Sequence, residues 1–464
     1  MTRAIELNDS GVRLADAAGR LLIASPGYAV VNARRLLVGE AALRESRLDP
    51  RHTTSQFWQR LSMDPVQHPH PEARTQADLA HAHLLHVWGA ADGGDPDDPG
   101  AADVIFAIPG QYGREQLALL LGIVRECPFR AVGLVDAAVA AVGHAQPDAE
   151  HVVHVDTLLH QSVITSLTAT ADGWQRASVL DLPALGLAGL REAWVKLIAD
   201  AFIRETRFDP LHDAATEQRL FDRIDAWVAA LKEQDELQVE LEAGGNVYRV
   251  ELDRARMIDS VAPRYEALRE ALLRGLGSRA GRVLLGPELG RLPGLAALLQ
   301  RDDRLDVEIL EADAAVRGAL DHESSIRHDG EALRFVTRLP RRVRTAGAPA
   351  AAAPVPQPEP EPEPIASGGQ AAAGDAAAGP THVLLGDTAW PLTGKRLAVG
   401  GADGIAGDRY PDALATLERI EGEGPDGAWR LTTPDGRTEP LPLGAARVVG
   451  AERVILSLIR VRAT

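Results

Sequence analysis

Several side chains in this sequence are of types that could do chemistry, and their spacing limits what that chemistry can be. His68, His70, His81, His83 and His86 lie close together, as ligands of a metal would. His81, His83 and His86 fall on an expected helix, where offsets of two and five residues do not share a face, and no cysteine is near. A metal centre is therefore not expected there. Gly394-Lys395 lacks the upstream glycine and the following hydroxyl of a phosphate-binding loop. Cys127, the sole cysteine, sits between Glu126 and Pro128 and reads as a small buried hydrophobe. Asp9, Asp136 and Asp156 read as loop carboxylates and are expected to be solvated.

The elements that must position these residues alternate in type. Short apolar runs at 104–108, 152–155 and 283–285 read as strands. Amphipathic stretches at 114–125, 190–205, 217–234 and 262–276 read as helices. This alternation predicts an α/β fold for residues 1–345, in two lobes that meet near residue 150. From 346 to 380 the chain is Ala, Pro, Gly and Glu, including Pro358-Glu-Pro-Glu-Pro-Glu-Pro364, which predicts a disordered, self-repelling spacer. Residues 381–464 carry Asp403-Gly404, Asp426-Gly427 and Asp435-Gly436 turn pairs and end on the apolar run Val454-Ile-Leu-Ser-Leu-Ile-Arg-Val461. A small β-sandwich is expected.

Composition narrows the function. At 464 residues, two or three domains are expected. The net charge of −17 argues against nonspecific binding to nucleic acid or anionic lipid, since phosphates would be repelled. One cysteine leaves no internal disulfide framework, which suits a reducing cytoplasm. Met1-Thr-Arg-Ala leads straight into charged residues, so no secretory leader is expected, and the run at 117–124 is too short to span a bilayer.

Read in order, the segments carry a further pattern. Ile5-Glu-Leu-Asn-Asp-Ser-Gly-Val12 is followed by Ser25-Pro-Gly-Tyr-Ala-Val-Val31, Leu37-Val-Gly-Glu-Ala41 and Thr54-Ser-Gln-Phe-Trp-Gln-Arg-Leu61. Then come Val104-Ile-Phe-Ala-Ile-Pro-Gly-Gln-Tyr112, Val132-Gly-Leu-Val-Asp-Ala-Ala-Val-Ala-Ala-Val-Gly143 and Asp156-Thr-Leu-Leu-His-Gln-Ser-Val-Ile-Thr165. The series closes with Asp181-Leu-Pro-Ala-Leu-Gly, Arg282-Val-Leu-Leu-Gly-Pro-Glu-Leu-Gly-Arg-Leu-Pro-Gly-Leu295 and Glu311-Ala-Asp-Ala-Ala-Val-Arg-Gly-Ala319. This order resembles the ATPase domain of the DnaK-type heat-shock chaperones, of the actin-like ATPase superfamily, over residues 1 to about 330. The corresponding chaperone pieces are IDLGTTNS, VITVPAYF, DLGGGTFDVS and IVLVGGSTRIPKI.

The resemblance implies a two-lobed actin-like fold, with one hairpin loop from each lobe around the phosphates of ATP with Mg²⁺. It places Glu6, Gln59, Asp136 and Asp156 at catalytic positions, and Ser10, Lys232, Gly286 and Arg291 in the nucleotide cleft. The chemistry at those positions has changed. Asn8 and Asp9 stand for a Gly and a Thr, Gln59 for a Lys, and Leu158, Leu159 and His160 for three glycines. Leucines there deny the backbone its close approach to phosphate. No cofactor is expected, with ATP and Mg²⁺ as the alternative. The expected function is that of a cytoplasmic, bacterial pseudo-ATPase that binds protein partners as a scaffold. The alternative is a slow chaperone-like ATPase using Glu6, Asp136 and Asp156, whereas a sugar or acetate kinase is disfavoured for want of an intact phosphate loop. The peptide-binding and lid segments of the chaperones have no counterpart. Residues 381–464 faintly resemble a forkhead-associated domain, at Leu397-Ala-Val-Gly400, Trp429-Arg-Leu and Asp435-Gly436, but its phosphothreonine-binding residues are not clearly present.

Overall fold

The computed structural model describes residues 2–91 and 102–341, apart from 184, 278 and 329–332, together with nine strands between 382 and 459. The fold is mixed α/β, and the chain divides into two compact units, Met1–Ala350 and Ala351–Thr464. The spacer 346–380 and the three Asp-Gly pairs lie outside the described residues.

The first unit uses one strand order twice. Strands β1 (Arg3–Glu6), β2 (Val12–Ala15) and β3 (Leu21–Ser25) form an antiparallel meander, and β4 (Ala102–Ile108) and β5 (Phe129–Asp136) extend it in parallel, giving the order 3-2-1-4-5. Strands β6 (His151–Thr157), β7 (Ser162–Thr170), β8 (Gly173–Leu182), β9 (Gly281–Leu285) and β10 (Leu305–Ile309) repeat that order as 8-7-6-9-10. The central parallel strands β4, β5 and β9 are covered on both faces and read as near-continuous apolar runs. Late in the unit the chain stitches the two sheets together. Phe335–Val336 pairs with β5, and Arg338–Leu339 pairs with β8.

The helices begin where carboxylates and hydroxyls cap them. Thr75 and Asp78 make a reciprocal capping box at α1 (Gln76–Ala90). Following α2 (Arg114–Arg125), Asp136 caps α3 (Ala137–Ala145) by accepting from the N–H groups of Ala138 and Val139. After α4 (Leu187–Thr206), Asp213 caps α5 (Ala214–Glu233) and Asp253 caps α6 (Arg254–Leu276). Helix α6 starts eight residues earlier than the sequence predicts. Pro263 lies inside α6, whose preceding turns already bury an apolar face at Met257 and Val261.

Each sheet has its own core. Phe57, Trp58, Leu79 and Phe106 centre the first, and Trp194, Phe202, Met257 and Tyr265 the second. A third core joins them, with Ala4 and Ile105 from one sheet, Val152 and Leu284 from the other, and α3 and α7 (Ala314–Asp321) between. These two helices approach so closely that a Cβ on Gly318 would collide with the backbone carbonyl of Ala140. Alanines supply most of α3, so backbone meets backbone at the centre of the unit.

The second unit holds two antiparallel sheets. Strands Thr388–Pro391, His382–Leu385, Val454–Ile459 and Ala446–Val449 form one. Ile405–Ala406, Arg396–Val399, Ala415–Ile420, Ala428–Thr432 and Thr438–Leu441 form the other, in which Leu431 is buried and Arg430 exposed. Among the described residues, no helix is long and apolar enough to cross a membrane.

Candidate functional site: a closed junction between two hairpin turns

The β1–β2 turn and the β6–β7 turn bring most of the candidate residues together, and they bond directly to each other. In the first turn, Ser10 donates from its backbone N–H and its hydroxyl to Asn8 Oδ1, at 2.9 and 2.7 Å. This is a local Asx turn, and it consumes both donors of Ser10. Asn8 Nδ2 donates across to Asp156 Oδ2 at 2.8 Å and to the Thr157 carbonyl at 3.1 Å. The Leu159 N–H donates back to Asp9 Oδ1 at 2.7 Å.

The second turn is satisfied internally. Leu158 N–H donates to the Gln161 carbonyl at 2.7 Å, and the carbonyls of Leu158 and Leu159 accept from Leu187 and Ala188 at the start of α4. Leu158 and Leu159 are buried, and Leu159 packs with Tyr28, Val30 and Ala42. Gln59 donates to Gln161 Oε1 at 2.9 Å, and Ser55 meets His160 at 3.0 Å. The backbone N–H groups of Ser10, Leu158 and Leu159 are thus already spent on the protein itself.

Asp9 and Asp136 are not solvated, which corrects the sequence reading for those two. Asp9 is 2% exposed and Asp136 fully buried, while Asp156 is half-buried. The reason is tertiary: the second turn packs over Asp9, and Arg176 with the start of α3 covers Asp136. Burial pushes the Asp9 carboxyl up to about 7, against the opposing bond from Leu159. Burial likewise raises Glu6 to about 7, opposed by Arg13 and assisted by the nearby Asp156.

Two arginines that the sequence reading missed stand among these carboxylates. Arg13, buried on β2, reaches Glu6 at 3.2 Å and Glu288 at 3.1 Å, so one guanidinium ties the first sheet to the short helix Pro287–Gly290 that follows β9. Arg176, on β8, reaches Asp136 Oδ2 at 2.7 Å and the Gly110 carbonyl at 3.2 Å. Burial raises the Asp136 carboxyl, while Arg176 and the two capping N–H groups pull it down. A usable signal existed for Arg13: a lone arginine in Val12-Arg-Leu-Ala15, a strand buried throughout, needs a buried partner.

Of the remaining candidates, Gly286 belongs to the junction. A Cβ there would come within 2.5 Å of Asp156 Oδ1, and its N–H donates to the Val155 carbonyl at 2.7 Å. Arg291 ion-pairs with Glu288 at 3.2 Å. Lys232 lies elsewhere, on the wall of a cavity of about 660 Å³ that it shares with Arg254, Tyr265, Gly290, Gly294 and Arg301. None of the junction residues lines that cavity. The Tyr265 hydroxyl is buried without a hydrogen-bond partner.

His83 is a core residue. The Trp58 indole N–H donates to its Nδ1 at 2.9 Å, which leaves the proton on Nε2 to donate to Ser25 Oγ at 2.8 Å. Burial lowers its pKa to about 3, so the ring is neutral. Cys127 is partly buried, and burial pushes its thiol up to about 12.

No protein-family model matches the chain, and no curated protein matches it.

Proposed function

We propose that this chain is a DnaK-like pseudo-ATPase with the two-lobed actin-like fold, acting as a non-catalytic scaffold that binds protein partners. The repeated strand order, with two helices crossing between the sheets, supports the two-lobed arrangement. The two antiparallel sheets of the second unit support a β-sandwich there. The observation that carries the functional reading is the direct bonding of the two turns. Phosphate would have to displace the Asn8–Asp156 and Leu159–Asp9 hydrogen bonds to reach those donors. Arg13 and Arg176 supply fixed positive charge beside the carboxylates, the role a metal ion has in phosphoryl transfer. A fold kept while its chemistry is replaced by internal bonds serves as a docking surface.

Steady-state hydrolysis of ATP with Mg²⁺ by the purified chain tests this. Turnover at the level of the solution background is expected. Chaperone-like turnover that Asp156→Ala abolishes would overturn it. Affinity capture with the intact chain, and with a chain cleaved between its two units, then reports whether partner binding needs both.

The 660 Å³ cavity favours a second reading, a divergent ATP-binding ATPase. It is lined by Lys232, Arg254 and Arg301 beside Asp259 and Glu266, with an unpartnered Tyr265 hydroxyl. A fluorescent ATP analogue distinguishes the two. Tight binding that requires Mg²⁺ favours the ATPase, and Mg²⁺-independent or absent binding favours the scaffold.

A further inference from the structure

A second cavity, unrelated to the junction, lies in the first unit where the strands Ala29–Asn32, Thr53–Thr54 and Pro65–His70 meet the start of α1. Its volume is about 290 Å³, at the small end for ligand sites. Arg51, His52, Arg60, His68 and Gln76 contribute to its wall, and no Asp or Glu does. In a chain with a net charge of −17, a polar cavity walled by two arginines and two histidines is a local reversal of the overall field.

The side chains are also short of partners. Neither Arg51 nor Arg60 makes an ion pair among the described residues, although most arginines of this unit do. His52 gives its Nδ1 to Asp49 at 2.7 Å, which leaves Nε2 as the ring nitrogen open to a ligand. The His68 ring stands edge-on to it at 4.7 Å between centroids. Gln76 Oε1 is buried with no hydrogen-bond partner, an acceptor waiting for a donor.

We propose that this cavity binds a small phosphate monoester that also carries a hydroxyl, of the sugar-phosphate class. The guanidinium groups of Arg51 and Arg60 take the phosphate oxygens in the forked geometry that suits them. The ligand hydroxyl donates to Gln76 Oε1. This site goes beyond the scaffold reading and does not depend on it, because none of its lining residues belongs to the junction.

Calorimetric titration of the full chain tests the proposal, with glucose 6-phosphate, inorganic phosphate and glucose as probes. Glucose 6-phosphate is expected to bind with a Kd of about 1 mM or tighter, inorganic phosphate more weakly, and glucose not at all. Arg51 and Arg60 are exposed, so Arg51→Gln and Arg60→Gln should leave the melting temperature unchanged. Each is expected to weaken glucose 6-phosphate about tenfold, the loss of one charge-assisted bond. Gln76→Leu should weaken glucose 6-phosphate and leave inorganic phosphate alone. No binding of glucose 6-phosphate, equal binding of phosphate and its ester, or full affinity in both arginine variants would each overturn the assignment.

Discussion

Replacing Asp9 by asparagine tests the closed junction directly. The Asp9 carboxyl titrates near 7 in the folded protein and near 3.8 when free of it. Burial is the first cause, so the folded state holds a proton there that the unfolded chain has already lost. Where the folded state binds more protons, stability falls as pH rises. The contribution is therefore fullest below about pH 4 and is lost as the pH climbs through 7. Each tenfold change in proton affinity is worth about 1.4 kcal/mol. Between pH 5 and pH 8, Asp9 thus costs the parent about 2–3 kcal/mol of stability. In the Asp9→Asn variant the amide keeps an oxygen for the Leu159 N–H and carries no charge. Urea unfolding of the full chain, followed by tryptophan fluorescence at both pH values, gives the two stabilities. The variant should gain on the parent by about 2–3 kcal/mol on going from pH 5 to pH 8. A constant difference between them would mean that Asp9 is hydrated and the turns are apart.

Three further outcomes follow from neighbouring contacts. Asn8→Ala removes the donor to Asp156 and the Thr157 carbonyl and should cost about 2 kcal/mol in urea unfolding, whereas a junction held only by its leucines would show no loss. Arg176→Met strands a buried carboxylate at Asp136 and should destabilise by about 3–5 kcal/mol, more at pH 8 than at pH 5. Adding Asp136→Asn should restore part of that loss, and a double variant no better than Arg176→Met would show that the pair is not coupled. Gly318→Ala places a methyl group on the Ala140 carbonyl and should cost about 3 kcal/mol in thermal unfolding; an unchanged melting temperature would refute the close crossing of α3 and α7.

Local pattern in the sequence was enough for the mixed α/β class and for several elements. The stretch 114–125 is helical over the residues its apolar period marks, and the apolar runs at 104–108, 152–155 and 283–285 lie within strands. These signals are legible because periodicity and capping act between near neighbours in the chain. The glycine-to-leucine exchanges at 158 and 159 were equally visible, and they already spoke against phosphate at that turn. What fills the turn instead was not visible. Asn8 meets Asp156 across 148 residues, and Arg13 meets Glu288 across 275. Such pairings depend on how two sheets are brought together, and no short window of sequence encodes that. The burial of Asp9 and Asp136 has the same origin. A carboxylate's exposure is set by what packs over it, so residue type alone suggested water where the fold places leucine, asparagine and arginine.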